Sequence, residues 1–147
     1  MSPSPQLLRS ASYFPVADVG RSLAHYEQVL GFRREYTAGT PPQFAILSRD
    51  GLAVMLRLVA QPELIRPSES QGGTWDMFFW ARNVDGLHQE LADRGATVVY
   101  RPTIQTSYQM KEFAVRDCDG RRVGFFFRWR RLFEELQRKF SRASDQF

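Results

Sequence analysis

The sequence predicts an α+β fold built from two βαβββ modules, and three features carry that prediction. Phe44-Ala45-Ile46-Leu47-Ser48-Arg49-Asp50-Gly51-Leu52-Ala53-Val54 aligns without a gap with Phe113-Ala114-Val115-Arg116-Asp117-Cys118-Asp119-Gly120-Arg121-Arg122-Val123, at a constant offset of 69 from position 44 to 113. Asp18-Val19, followed by a helix-like stretch to Gly31, matches Asn83-Val84, followed by one to Gly95, at an offset of 65 from 18 to 83. A length of 147 residues suits one well-buried domain and is short for two independent ones. The copies, about 11–60 and 75–129, are therefore halves of one core. A unit of this size present only twice is a supersecondary module, longer than a solenoid repeat.

Residues 12–17 read as a strand, and Val19 to Leu30 as an amphipathic helix with Leu23, Tyr26, Val29 and Leu30 on one face, Asp18 as its cap and Gly31 as its stop. Strands follow near 32–37, 43–48 and 52–60, joined by Gly39-Thr40-Pro41-Pro42 and by the Asp50-Gly51 hairpin signal. Residues 61–74, with Pro62, Pro67, Ser68, Ser70, Gly72 and Gly73, form a linker. The order then recurs: strand 75–81, helix 84–94 with Leu87 and Leu91 inward, and strands near 97–101, 110–116 and 121–128. Arg101 to Gln109 reads as an irregular connection that borders a site. A last helix over about 130–143 has Leu132, Phe133, Leu136 and Phe140 at helical spacing and no counterpart in the first module. It is read as docking on the domain or on a partner subunit, with an anionic membrane surface as the alternative.

Composition narrows the function. The apolar fraction of 43% fits a soluble globular protein, no apolar run approaches the roughly 20 residues that cross a bilayer, and the amino terminus has no signal core, so a cytoplasmic location is expected. Cys118 as the single cysteine excludes an intrachain disulfide and a cysteine-built zinc site, and its aspartate neighbours disfavour a reactive thiolate. The net charge is +4, but Arg128, Arg130, Arg131, Arg138, Lys139 and Arg142 outnumber Glu134, Glu135 and Asp145 in the final segment. The repeated core is thus nearly neutral and lacks the broad basic face of a nucleic-acid-binding domain.

Phe14-Pro15-Val16-Ala17-Asp18-Val19 with Ser22, Tyr26 and Leu30-Gly31-Phe32, then Val84-Asp85 to Arg94-Gly95-Ala96, and above all Glu112-Phe113-Ala114-Val115-Arg116-Asp117-Cys118-Asp119-Gly120, carry a family resemblance. Over nearly all of residues 11–129 the chain resembles the vicinal oxygen chelate superfamily, which comprises glyoxalases, bleomycin-resistance proteins and extradiol dioxygenases. The resemblance implies sheets that curl into an open, cup-like half barrel with the pocket on the concave face and helices behind, and a homodimer as in many relatives. One apolar helix stripe per module agrees with this, since it covers one sheet face and leaves the other to line a cavity.

Metal-using relatives place ligands on the first and last strands of each module, which the resemblance maps onto Ala11, Met55, Asp76 and Gly124. A divalent ion needs several oxygen or nitrogen donors converging on one point. Ala11 and Gly124 offer none, the Met55 thioether suits hard or borderline ions poorly, and His25 and His88 fall on the helices. No metal site and no cofactor are expected. The match is to the metal-free, bleomycin-resistance-like branch.

Side chains two apart on a strand share a face. From the mapped positions, the concave face receives Tyr13 and Pro15, Ala53 and Arg57, Phe78 and Trp80, and Arg122 and Phe126, while Phe14, Val16, Val54, Leu56, Met77, Phe79, Val123 and Phe125 face the helices. Aromatic rings mixed with a few charges suit planar organic ligands, with Gly124 leaving room at the backbone, Tyr108, Gln109 and Met110 as a rim, and Trp75 at the opposite edge. The expected ligand-binding set is Tyr13, Met55, Arg57, Asp76, Phe78, Trp80, Tyr108, Met110, Arg122, Gly124 and Phe126. Each of these aromatics has a plain alternative role as core filling.

The leading expectation is a metal-free protein that sequesters an antibiotic-like or aromatic small molecule as a dimer. The alternative is a lyase, isomerase or dioxygenase of the same superfamily with an unidentified substrate, in which Asp76 does acid–base work with Tyr13, Glu112 or Arg57. With one inward carboxylate candidate against two inward arginines, the face does not suit bleomycin itself, which is cationic at one end.

Overall fold

The computed structural model describes residues 4–128 and, beyond them, Glu134, Arg138, Lys139, Ser141 and Arg142. The first module runs β1 (Ala11–Val16), α1 (Val19–Gln28), β2 (Arg33–Ala38), β3 (Phe44–Arg49), β4 (Leu52–Leu58). The second runs β5 (Met77–Trp80), α2 (Val84–Asp93), β6 (Thr97–Gln105), β7 (Met110–Arg116), β8 (Arg122–Phe127). Each forms one four-stranded mixed sheet, ordered β1-β4-β3-β2 and β5-β8-β7-β6, whose first and last strands pair in parallel. Among the described residues, no strand of one sheet pairs with a strand of the other.

The helices start where capping chemistry begins them. Asp18 accepts the backbone N–H of Arg21 at 3.0 Å, and Asn83 accepts that of Gly86 at 3.0 Å. Both helices are left through a glycine with positive φ, +74° at Gly31 and +91° at Gly95, a conformation that costs residues with a Cβ. Short 3₁₀ turns at Pro62–Leu64 and Ser68–Gln71 occupy the segment between the modules.

One difference from the sequence reading lies at β6, which continues to Gln105 where an irregular connection was expected. Its outer half pairs with β7 through Thr103 with Glu112, Ile104 with Lys111 and Gln105 with Met110. Register shifts between Val98 and Tyr100, and between Tyr100 and Thr103, break the alternation that would have revealed the strand. The helix expected over 130–143 lies outside the described residues, apart from the five isolated positions named above, which are helical and exposed.

Phe14, Val16, Leu47, Val54 and Leu56 of one module and Met77, Phe113, Val115, Val123 and Phe125 of the other belong to a single buried cluster with Leu23, Tyr26 and Leu91 from the helices. Burying each such side chain stabilises by about 1.5–3 kcal/mol. The helix-covered faces of both sheets therefore share one core, and the helix-free faces stay outside.

Two junctions hold the modules together, and the internal offsets relate them. At the first, the buried Tyr26 hydroxyl of α1 donates to Asp117 Oδ2 at 2.9 Å, while Asp117 Oδ1 accepts the backbone N–H groups of Asp119 and Arg121 at 2.9 Å each. The Arg121 guanidinium sits 4.5 Å from the centre of the Phe14 ring and donates to the Pro15 carbonyl. At the second, Leu91 takes the place of Tyr26 and Leu52 that of Arg121, while strand pairing puts Arg49 in the place of Asp117, because Ser48 pairs with Ala53 as Arg116 pairs with Arg122 and the second turn is one residue longer than the gapless repeat implied. Here Arg49 makes two 2.7 Å hydrogen bonds to Glu90 and one of 2.8 Å to the Leu30 carbonyl. Where Arg121 covers Phe14, Leu52 leaves a cleft of about 550 Å³ lined by Phe32, Phe79, Trp80, Leu87 and Phe125.

Candidate functional site

The helix-free face of the first sheet is open. Tyr13 on β1 is 57% exposed, Arg57 on β4 is exposed, and Met55 between them is half-buried. Tyr36 on β2 and Phe44 on β3, whose rings are 6.3 Å apart, extend the same face, because Phe44 pairs with Arg57 and Tyr36 with Ile46, itself the partner of Met55. The face offers rings at several heights and the Arg57 cation among them.

The equivalent face of the second sheet is more closed. Phe126 is buried and stacks on Phe78 with ring centres 3.4 Å apart, the Trp75 indole meets Phe126 edge-on at 4.8 Å, and Trp80 beside Phe78 remains 73% exposed. The space above Gly124 is taken by that indole: a Cβ at this position would lie 2.7 Å from Trp75 Cδ1 and 2.7 Å from Phe126 Cε2. Close approach of the ring to the backbone is what requires glycine there.

Beside these rings runs a chain of hydroxyls. Trp75 Nε1 donates to the Tyr100 hydroxyl at 3.0 Å, and the Tyr100 and Tyr108 hydroxyls donate to Glu112 Oε1 at 3.4 and 2.8 Å. Glu112 is 2% exposed and its Oε2 has no hydrogen-bond partner. Burial, and then the bond to the carboxylate, push the Tyr108 hydroxyl up, and burial does the same to Tyr100. Met110, two residues before Glu112 on β7, is buried on the same face.

Asp76 and Arg122 are occupied elsewhere. Asp76 accepts the backbone N–H of Ser68 at 2.8 Å through Oδ1 and that of Arg122 at 3.0 Å through Oδ2, so it fastens the inter-module segment to β8. Glu69, held below the usual carboxylate range first by its bond to Arg116, pairs with Arg116 at 2.8 Å and with Arg122 at 2.7 Å.

The four positions at which metal-using relatives carry ligands do not suit a divalent ion. Ala11 and Gly124 supply no donor, Met55 supplies a thioether, and both oxygens of Asp76 are engaged by backbone N–H groups. Among the described residues, no three His, Cys, Asp or Glu side chains group closely enough to hold one. His25 and His88 stand on α1 and α2, and the His88 ring packs against the helix-facing Phe113 at 5.3 Å. Burial also pushes the Cys118 thiol up, which leaves little nucleophile at neutral pH.

Of the residues the sequence singled out, the structure gathers Phe78, Trp80, Gly124 and Phe126 into one aromatic patch and sets Tyr108 and Met110 beside it. Tyr13, Met55 and Arg57 form a separate patch on the other sheet, and Asp76 with Arg122 forms a polar lock at the edge. Sequence reasoning named Glu112 only as an acid–base partner for Asp76 and did not single out Tyr36, Phe44 or Tyr100. Extending the alternation from the outer to the inner strands would have found Phe44 and Glu112, whereas Tyr36 and Tyr100 sit next to register shifts.

The doubled module and this arrangement agree with the comparison of sequences, in which residues 9–125 match the model of the Glyoxalase/Bleomycin resistance protein/Dioxygenase superfamily. The chain belongs to this superfamily. Its fold is that of TioX from Micromonospora sp. ML1, at 21% identity and a TM-score of 0.67 over 82% of this chain and 98% of that one. It is also that of a glyoxalase/bleomycin resistance protein/dioxygenase from Alicyclobacillus acidocaldarius, at 13% identity and a TM-score of 0.68 over 86% and 96% of the two chains. TnmS3, an antibiotic binding protein from Streptomyces sp. CB03234, is similar at 20% identity and a TM-score of 0.60 over 83% of this chain and 96% of that one. A search of curated proteins finds no match. Among the described residues no helix is long and apolar enough to cross a membrane.

Proposed function

We propose that this superfamily member is a metal-free binding protein that sequesters an aromatic, antibiotic-like small molecule between the helix-free faces of two copies. The observation that carries the reading is a pair of outward faces rich in rings, Tyr13, Tyr36 and Phe44 on one and Phe78, Trp80 and Tyr108 on the other, with no converging metal donors among the described residues. Stacking on such rings holds a planar molecule without any bond being made. The antibiotic binding protein among its structural relatives supports the same reading.

The same geometry supports a dimer. Both modules spend their helix-covered faces on one core, so the described residues of one chain leave both ring-bearing faces without a roof. A second copy that apposes its first sheet to the second sheet of its neighbour encloses a cavity between Tyr13 and Trp80 and removes the exposed aromatic area from water. The solution state is read by light scattering.

The binding reading is tested by melting curves with nickel, zinc, manganese or iron(II), and with a panel of planar aromatic antibiotics. Bound ligand raises the melting temperature by mass action, so antibiotics raise it and metals leave it unchanged. Recovery of the antibiotic intact after incubation completes the result. A rise with metal, or a chemically altered antibiotic that persists under chelation, favours the enzyme reading instead.

A further inference from the structure

Resting on that reading, we infer that Glu112 is the anchor for a protonated nitrogen of the bound molecule, so that the ligand is an aromatic or apolar cation. The carboxylate is almost fully buried, no Lys, Arg or His pairs with it among the described residues, and one of its two oxygens lacks any partner. A buried carboxyl oxygen left without a partner is costly, and it persists where something else supplies the missing half. The neighbours are suited to a cation. Phe126 is the cross-strand partner of Glu112, Trp75 and Phe78 lie against Phe126, and ring faces attract positive charge.

The two modules differ at this point. The counterpart of Glu112 in the strand pairing is Phe44, which pairs with Arg57 as Glu112 pairs with Phe126, so the buried carboxylate has no equivalent on the first sheet. Neighbouring charged groups have partners of their own: Asp76 accepts backbone N–H groups, and Arg116 and Arg122 pair with Glu69. Tyr108, 45% exposed and bonded to the same carboxylate, is the member of the cluster that reaches water, and the incoming nitrogen reaches Oε2 as this ring gives way.

The test uses three probes with one ring system: aminomethylanthracene, hydroxymethylanthracene and anthracene carboxylate, titrated by anthracene fluorescence into the full chain. A charge-assisted bond to a buried carboxylate predicts that the amine binds roughly tenfold to a hundredfold more tightly than the alcohol, and the carboxylate most weakly. Glu112→Gln removes the preference for the amine over the alcohol. Tyr108→Phe keeps the carboxylate and retains the preference, which provides a second variant should the first fold poorly. Equal binding of amine and alcohol by the wild type, or a preference that survives Glu112→Gln, overturns the inference and leaves the sequestration reading standing. Failure of all three probes overturns it as well, while the antibiotic panel decides the broader reading separately.

Discussion

The two junctions between the modules occupy equivalent places, yet one is polar and filled while the other is apolar at its centre and open. At the first, a buried tyrosine donates to a buried aspartate that also accepts two backbone N–H groups, and a buried arginine covers Phe14 and donates to the Pro15 carbonyl. At the second, leucines replace the tyrosine and the arginine, and the ion pair of Arg49 with Glu90 lies at the rim with a quarter to a third of each side chain exposed. Duplication supplied the same backbone twice, and substitution at a few side chains made one junction a fixed lock and left the other a cleft. Equivalence of backbone position does not confer equivalence of role.

The sharpest way to break this comparison is to remove the carboxylate at the polar junction. Asp117→Ala strands the Tyr26 hydroxyl and two N–H groups in the interior, for an expected loss of about 3 kcal/mol, whereas Ser48→Ala, next to the equivalent Arg49, changes stability by less than about 0.5 kcal/mol. Urea denaturation of both variants measures the difference, and equal losses would show the junctions to be interchangeable. At the open junction, Arg49→Met is expected to cost about 1 kcal/mol, discounted because Arg49 and Glu90 are both partly exposed, and the cost shrinks as salt is added. A large cost that salt does not change would mean that this junction too is locked.

The smallest effect concerns pH. His25 on α1 is half-buried beside the polar junction, and burial pulls its imidazole below the ordinary value of 6.5, outweighing the opposing pull of Asp117. The unfolded chain therefore takes up a proton near pH 6.5 that the folded chain resists, so this residue makes stability fall as pH drops below that value. His25→Gln flattens that part of the profile, as melting curves between about pH 7.5 and 5.5 would show.

Much of the fold was legible because it is written twice. The alternation Phe14, Val16 against Tyr13, Pro15 sets the buried and open faces of β1, and the same alternation at Met77 to Trp80 repeats it on β5. Asp18 and Asn83 mark both helix starts through their side-chain caps. What stayed hidden depends on tertiary neighbours. The outer half of β6 is a strand because β7 pairs with it, and the engagement of Asp76 depends on Ser68, eight positions away across a turn. Nothing local announces that Glu112 is short of a partner, since that depends on which side chains β6, β8 and the turn before β7 bring within reach.

The indole of Trp75, seated on Gly124 and joined through the Tyr100 hydroxyl to Glu112, gives the protein a built-in optical gauge. Any guest that takes hold of the carboxylate redistributes protons and dipoles one hydroxyl away from an emitting ring. Occupancy is thereby reported as a change in the colour and yield of ultraviolet emission, with no dye attached.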